Sequence, residues 1–420
     1  MLVTAMSPPA AHAAVVVPSG NDGGFVSPTL QPDGTVSRVQ PEHRSGTVEE
    51  ARSIAARKNA ISDVGGIDEK DLDDYRTTLA RAAEVAEPPS GPLEECLASD
   101  EAGKPGGRVL NRHFWCQRNT IHGEVLFNGK KEGEFTVQYR AAAVANPFTR
   151  QVHYFLHGDD YDTEGTFSAW SRLSIKIECV VLTAGCSVDR GAVVMDIGDW
   201  DDGEWLNWNI SSDEGVATQQ PEKVLRNIFT GTGHAVDDFG RGVELTSTTR
   251  PGIRCDSASY FPGAEKACTF TDVIPRLNYR YGQGYDEVVT HIKTAHENPS
   301  ATDPKKVDKV VPGRWDGYPT SPGLHRVPYA GTTWQSNRNA KDRACRPLTG
   351  TPGQQCDEFP FAVTKEGAGL GDGNFSVKYV NGSQNGLAGI ELRIYLSWDR
   401  ILYEETPADG VLDEFWVKAG

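Results

Sequence analysis

The eight cysteines constrain this chain more than any other feature. They fall in four neighbouring pairs, Cys96/Cys116, Cys179/Cys186, Cys255/Cys268 and Cys345/Cys356. None shows the two-residue gap of a zinc knuckle or a redox motif. Local loops closed by disulfides in an oxidising compartment are the simplest account, with the pairing chosen by proximity. Export has a second cue. Ala11-His12-Ala13 before Ala14 fits the small-x-small pattern of signal cleavage, so residues 1–13 read as a residual signal segment.

A chain of 420 residues is long enough for two or three domains. With 44 Gly, 25 Pro and only 3 Met, it favours strands and loops over long helices. No apolar run approaches the ~20 residues of a membrane span. Residues 14–46 are rich in Pro, Gly and Ser and read as a flexible arm. Residues 47–90 read as helical. Thr47-Val48-Glu49-Glu50 could cap one helix, and a second starts near Asp68 and runs through Leu72, Tyr75, Leu79 and Ala83 to Pro88-Pro89. Residues 105–250 carry short alternating runs at 123–127, 135–139, 152–156, 174–181 and 193–197. Asn128-Gly129 and His157-Gly158-Asp159 read as turns between them. This predicts a β-rich, sandwich-like accessory domain that binds an unknown extracellular ligand. The acidic run Asp196–Trp205 reads as a turn rather than a calcium loop.

A net charge of −16 argues against a polyanionic partner, but the charge is uneven. From residue 271 onward there are 17 Lys+Arg against 19 Asp+Glu. Between Arg314 and Arg346, six basic residues face only Asp316 and Asp342. That basic stretch runs into the cluster Cys356-Asp357-Glu358-Phe359-Pro360-Phe361-Ala362. Around it the pattern predicts a strand at 275–281 and a helix at 285–295. Val288, Val289, Ile292 and Ala295 form one helix face, with His291 and His296 beside it. A strand follows at 357–363, then a flexible loop at 367–373, a strand at 375–380 and a helix from Gly386. The last segment also alternates like a strand. In the helical version, Asp357, Glu358 and Asn385 can converge. Carboxylate and amide oxygens suit a hard divalent cation, and a carboxylate can activate water beside it.

The run from Cys356 to Ala362, with Thr364-Lys365-Glu366-Gly367, resembles the signature of the NucA/NucB family of secreted bacterial deoxyribonucleases. Tyr285–Ile292, Leu324-His325-Arg326, Asn337-Arg338…Cys345, Phe375–Val380 and Gln384-Asn385-Gly386 resemble further blocks in the same order, covering 271–420. The resemblance implies an α+β chain, disulfide-stapled, whose small α+β nuclease domain has a ββα-metal-like core. It implies a DNA endonuclease using a divalent cation such as Mg or Mn. Asp357 would be the general base, with Glu358 or Glu366 assisting. Asp357, Glu366 and Asn385 would hold the metal, and His325, Arg326, Arg338 and Arg343 would contact DNA. Two departures stand out: Gln384 precedes the turn asparagine where an acid is expected, and Ala368 replaces a second glycine. The rival is an extracellular binding protein with a degenerate nuclease-like end.

Overall fold

The fold is described from a computed structural model, which covers residues 24–27, 60–66, 68–180, 185–217, 221–247, 249, 251–317, 321–403 and 413–420. The signal-like segment 1–13 and the expected cap at 47–50 lie outside these residues.

The sandwich expectation gives way to one large curled sheet of 13 strands. Its spine is a meander of three long strands, Phe114–Phe127, Lys130–Ala145 and Gln151–Gly165, each paired antiparallel to the next. Asn128 and Gly129 both take positive φ, so the first hairpin turns where the sequence says. His157-Gly158-Asp159 is no turn; it lies within the third strand. A Cβ at Gly158 would collide with the backbone of Trp200, so glycine here permits close approach. Register shifts at Val125/Leu126 and Gln138/Tyr139 add bend to strands already long enough to coil.

The curl lets one sheet enclose its own core. Tyr154 meets its cross-strand neighbour Trp208 edge-on at 6.1 Å and also Phe229 at 5.7 Å, which lies on a strand far along the sheet. The second cover is helical, not another sheet. Helices α1 (Glu69–Val85) and α2 (Ser90–Leu97) bring Leu79, Ala82 and Leu93 against Phe114, Ala142, Val144 and Phe155. With both faces covered, residues 141–145 are buried without alternation, which a two-layer pattern cannot anticipate.

All four cysteine pairs are disulfides, as their spacing predicts: Cys96–Cys116, Cys179–Cys186, Cys255–Cys268 and Cys345–Cys356. Each closes a short loop, as expected, and two of them also lie in the core. Cys116 and Cys268 are fully buried in strands of the large sheet, Phe114–Phe127 and Ala267–Phe270. Cys116 ties the sheet to Cys96 of α2, within the core that these two elements share. Cys268 lies directly opposite Cys255 in an antiparallel pair, so that bond crosses between neighbouring strands inside the main core. Both cysteines are therefore structural staples, shut away from solvent and from any ligand. Cys179, on strand Arg172–Val180, is bonded to Cys186, which starts strand Cys186–Val188 at an end of the sheet path.

Two further expectations change. Phe25–Val26, inside the supposed arm, is a strand of the large sheet. Residues 60–64, inside the supposed helical segment, form strand β1 (Ala60–Val64). It pairs in parallel with β2 (Val273–Tyr279), a strand remote in the sequence. A second sheet of four strands results, ordered β3 (Leu324–His325), β6 (Glu414–Ala419), β2, β1. Beside it stand a hairpin, β4 (Gln354–Phe359) and β5 (Ser376–Asn381), and helices α3 (Asp286–Glu297), α4 (Thr332–Cys345) and α5 (Gly382–Trp398). The last segment is therefore a helix. It begins four residues before Gly386, because Asn381 caps it, accepting from Ser383 N–H and Gln384 N–H. No helix among the described residues is long and apolar enough to cross a membrane.

The large sheet and the C-terminal region meet at a seam of buried ions. Arg400, 1% exposed, donates to Asp256 at 2.7 Å and to Ala264 O. Arg254 pairs with Asp413 and donates to Arg400 O, and Arg112 reaches Asp413 at 3.1 Å.

Candidate active site on the hairpin

Strand alternation sends Asp357 and Glu358 to opposite faces of β4. Asp357 turns toward α3 and α5. Its Oδ2 lies 2.7 Å from His291 Nδ1, and His291 Nε2 lies 2.8 Å from Ser376 Oγ on β5. An ionised carboxylate only accepts, so Nδ1–H donates to Asp357, while Nε2 hydrogen-bonds the Ser376 hydroxyl. The order Ser–His–Asp is that of a hydrolase triad, but Ser376 is fully buried and His291 is 1% exposed. No substrate can reach that hydroxyl. The accessible member is Asp357, whose side chain keeps 12% exposure.

Glu358 faces α4 and is buried with Oε2 unpartnered. Burial pushes its carboxyl up to about 7, against the opposing charges of Lys341 and Arg338 on α4. Lys341 itself is buried and paired with Asp342 at 2.9 Å.

Asn385 donates to Gln355 Oε1 at 3.2 Å. Gln355 is two residues before Asp357 on β4, so Asn385 and Asp357 serve one face of the hairpin. The N-termini of α3 and α5 are knitted together at that corner. Gln384 Oε1 accepts from Glu287 N–H, and Glu287 Oε2 accepts from Asn381 N–H. An acid of another helix, Glu287, thus caps the corner where Gln384 stands.

Glu366 is engaged elsewhere. Its two oxygens accept from His325 N–H and Nδ1–H at 2.9 and 2.7 Å, and Glu414 lies 3.4 Å from His325 Nε2. Burial opposes charge on His325, but Glu366 and Glu414 outweigh it and lift the imidazole to about 9. The loop at 367–373 is not loose. Buried Asn337 donates to Ala362 O and Thr364 O and accepts from Gly369 N–H. A Cβ on Gly367 or Gly369 would strike that same side chain.

The basic residues separate as well. Arg338 and Arg343 are exposed on α4. Arg326 is held among Tyr260, Phe261 and Tyr403 at 4.9–5.2 Å and donates to Ile401 O, so it is not part of the exposed strip.

These strands and helices fall in a stretch with a known counterpart. Residues 329–398 match the deoxyribonuclease NucA/NucB family. The matched stretch contains α4, the hairpin and α5, with both Asp357 and Glu358. No curated protein and no solved structure gives a significant match. His291 and β2 lie outside the matched stretch, yet His291 makes the closest polar contact to Asp357.

Four residues matter more than the sequence suggests: His291, Ser376, Asn337 and Lys341. His291 left a signal as a histidine beside the apolar face of α3, and Asn337 and Ser376 fall in blocks that resemble the family. That Asn337, Ser376 and Lys341 turn inward is a property of the fold.

Among the described residues, the only three His, Cys, Asp or Glu ligand atoms gathered within 4.8 Å are those of His122, Glu124 and Glu134, on the large sheet. The hairpin offers no ready carboxylate cage. It does offer hard oxygens on one face, from Asp357, Gln355 and Asn385. Magnesium suits such a place, since it keeps several waters and is usually held by one or two carboxylates plus substrate phosphate.

Proposed function

We propose that the C-terminal region is a secreted, divalent-cation-dependent endonuclease that hydrolyses DNA phosphodiester bonds at the Asp357 face of the hairpin. The observation that carries this reading is that Asp357, inside the stretch matching a deoxyribonuclease family, is held by His291 from a helix before that stretch. His291, itself fixed by Ser376, holds one oxygen of Asp357, leaving the other to take a proton from water. A bound cation would offset charge on the phosphate, held beside Asp357 by the amide oxygens of Asn385 and Gln355. Arg338 and Arg343 on α4 supply positive charge for the DNA backbone. Glu366, locked to His325, positions the loop after β4 rather than holding the ion. Glu358 sits on the opposite face and supports the hairpin. Four disulfides agree with secretion.

The test is nicking of supercoiled plasmid by the full chain with Mg or Mn, with and without EDTA. EDTA-sensitive nicking is expected. No nicking with any divalent cation would overturn the enzyme reading and leave the binding-protein alternative.

A further inference from the structure

Away from the hairpin, a cavity of about 640 Å³ opens between α1, the loop at 260–262 and α5. That volume is typical of a small-molecule site. Three arginines line it, Arg76, Arg326 and Arg393. Arg76 is 7% exposed; its Nη2 donates to Ser397 O and Oγ, and its Nε has no partner. Arg326 has its three rings and one carbonyl. Neither has a carboxylate at ion-pair distance among the described residues, and Asp73 acts on Arg76 only from farther away. The third arginine of the wall, Arg393, is already paired with Glu69 at 2.6 Å.

Buried cations are normally paired, because desolvation is otherwise uncompensated. Burial, then the charge of Arg400, holds Arg76 down at about 10, so an anion beside it would relieve an existing penalty. The seam shows the contrast: there Arg254 and Arg400 each have a carboxylate in contact. At the mouth of the cavity Tyr329, 73% exposed, offers an aromatic face. A buried guanidinium with an unpartnered Nε behind an aromatic rim matches a small anion attached to a flat ring.

We propose that this cavity binds the terminal phosphate of a nucleotide, the phosphate on Arg76 and the base against Tyr329. The anion follows from the cavity alone; the choice of a nucleotide over another aryl phosphate rests on the nuclease reading. The site shares α5 and Val363 with the hairpin's surroundings, so a product end or a second stretch of strand could occupy it during cleavage.

Calorimetry on the full chain tests this with dAMP, deoxyadenosine and phenyl phosphate. Expected is saturable binding of dAMP, with deoxyadenosine and phenyl phosphate each about tenfold weaker or more. Gly389 lines the cavity and a Cβ there meets nothing within 4 Å, so Gly389→Leu fills the space without removing a charge or straining the helix. It should weaken dAMP about tenfold or more while the melting temperature holds or rises. Asp357→Asn should bind dAMP like wild type, so a failed nuclease reading and a failed binding site give different results. The proposal is overturned if millimolar dAMP gives no binding, if deoxyadenosine binds as tightly, or if Gly389→Leu keeps full affinity. Phenyl phosphate binding as tightly as dAMP would overturn the nucleotide assignment.

Discussion

At the seam, Arg400 and Arg254 contact Asp256 and Asp413, and all four side chains are buried. On the hairpin, Glu358 lies nearly as deep, yet its Oε2 has no partner, and Lys341 and Arg338 act on it only through space. The two regions use the same residue types and reach opposite proton affinities. At Asp413 burial alone would favour the proton, but Arg254 and Arg112 outweigh it and hold the carboxyl well below its usual range. At Glu358 burial wins and the carboxyl rises to about 7. What differs is contact, not burial. A charge paired at hydrogen-bond distance offsets its desolvation; one facing a cation across a gap does not.

The largest test of that contrast is Asp357→Asn. It should lower plasmid nicking by about 10²–10⁴-fold, the usual worth of a general base, with little change in unfolding midpoint. Nicking at the wild-type rate would remove Asp357 from the chemistry. At the seam the consequence should be reversed. Asp256→Asn leaves Arg400 buried against a neutral amide and should cost about 3–5 kcal/mol in urea unfolding. A loss below about 1 kcal/mol would mean that the seam does not hold the two regions together.

Glu358→Gln sharpens the comparison through pH. A carboxyl raised in the folded state stabilises the fold at low pH, and that contribution is lost as pH rises from about 4.5 through about 7. The variant should therefore match wild type near pH 4 and be more stable above pH 7, by up to about 3 kcal/mol. Asp413 has the opposite sign, and its contribution vanishes only as pH falls below the ordinary carboxylate range. Equal stability of variant and wild type at pH 8 would show that burial imposes no penalty on the Glu358 charge. The smallest effect belongs to the exposed strip. Arg343→Ala should leave stability within about 0.5 kcal/mol. It should weaken DNA binding evenly across sequences and reduce the salt slope by about one. An unchanged slope would take Arg343 off the DNA path.

Much of the local structure was legible. The close cysteine pairs announced the four disulfides, and Asn128-Gly129 announced its hairpin. The apolar face at Val288, Val289, Ile292 and Ala295 announced α3. Each depends on residues near in sequence, where periodicity and turn chemistry act directly. The alternation of β4 likewise separates Asp357 from Glu358 with no knowledge of the fold. Spacing did not show that Cys116 and Cys268 lie in the core, because their burial depends on what the sheet folds around.

The rest was decided by closure over long distances. Whether strands form two sheets or one curled sheet depends on what covers residues 141–145, and α1 and α2 do so from the other side. Residues 60–64 become a strand only because β2 offers an edge. Asp357 finds His291 sixty-six positions away, and Arg326 leaves the basic strip because three rings from distant segments enclose it. The sequence determined which residues could carry charge and which way alternate side chains point. Only the tertiary structure decided which charges found partners, because burial and contact between remote segments set that outcome.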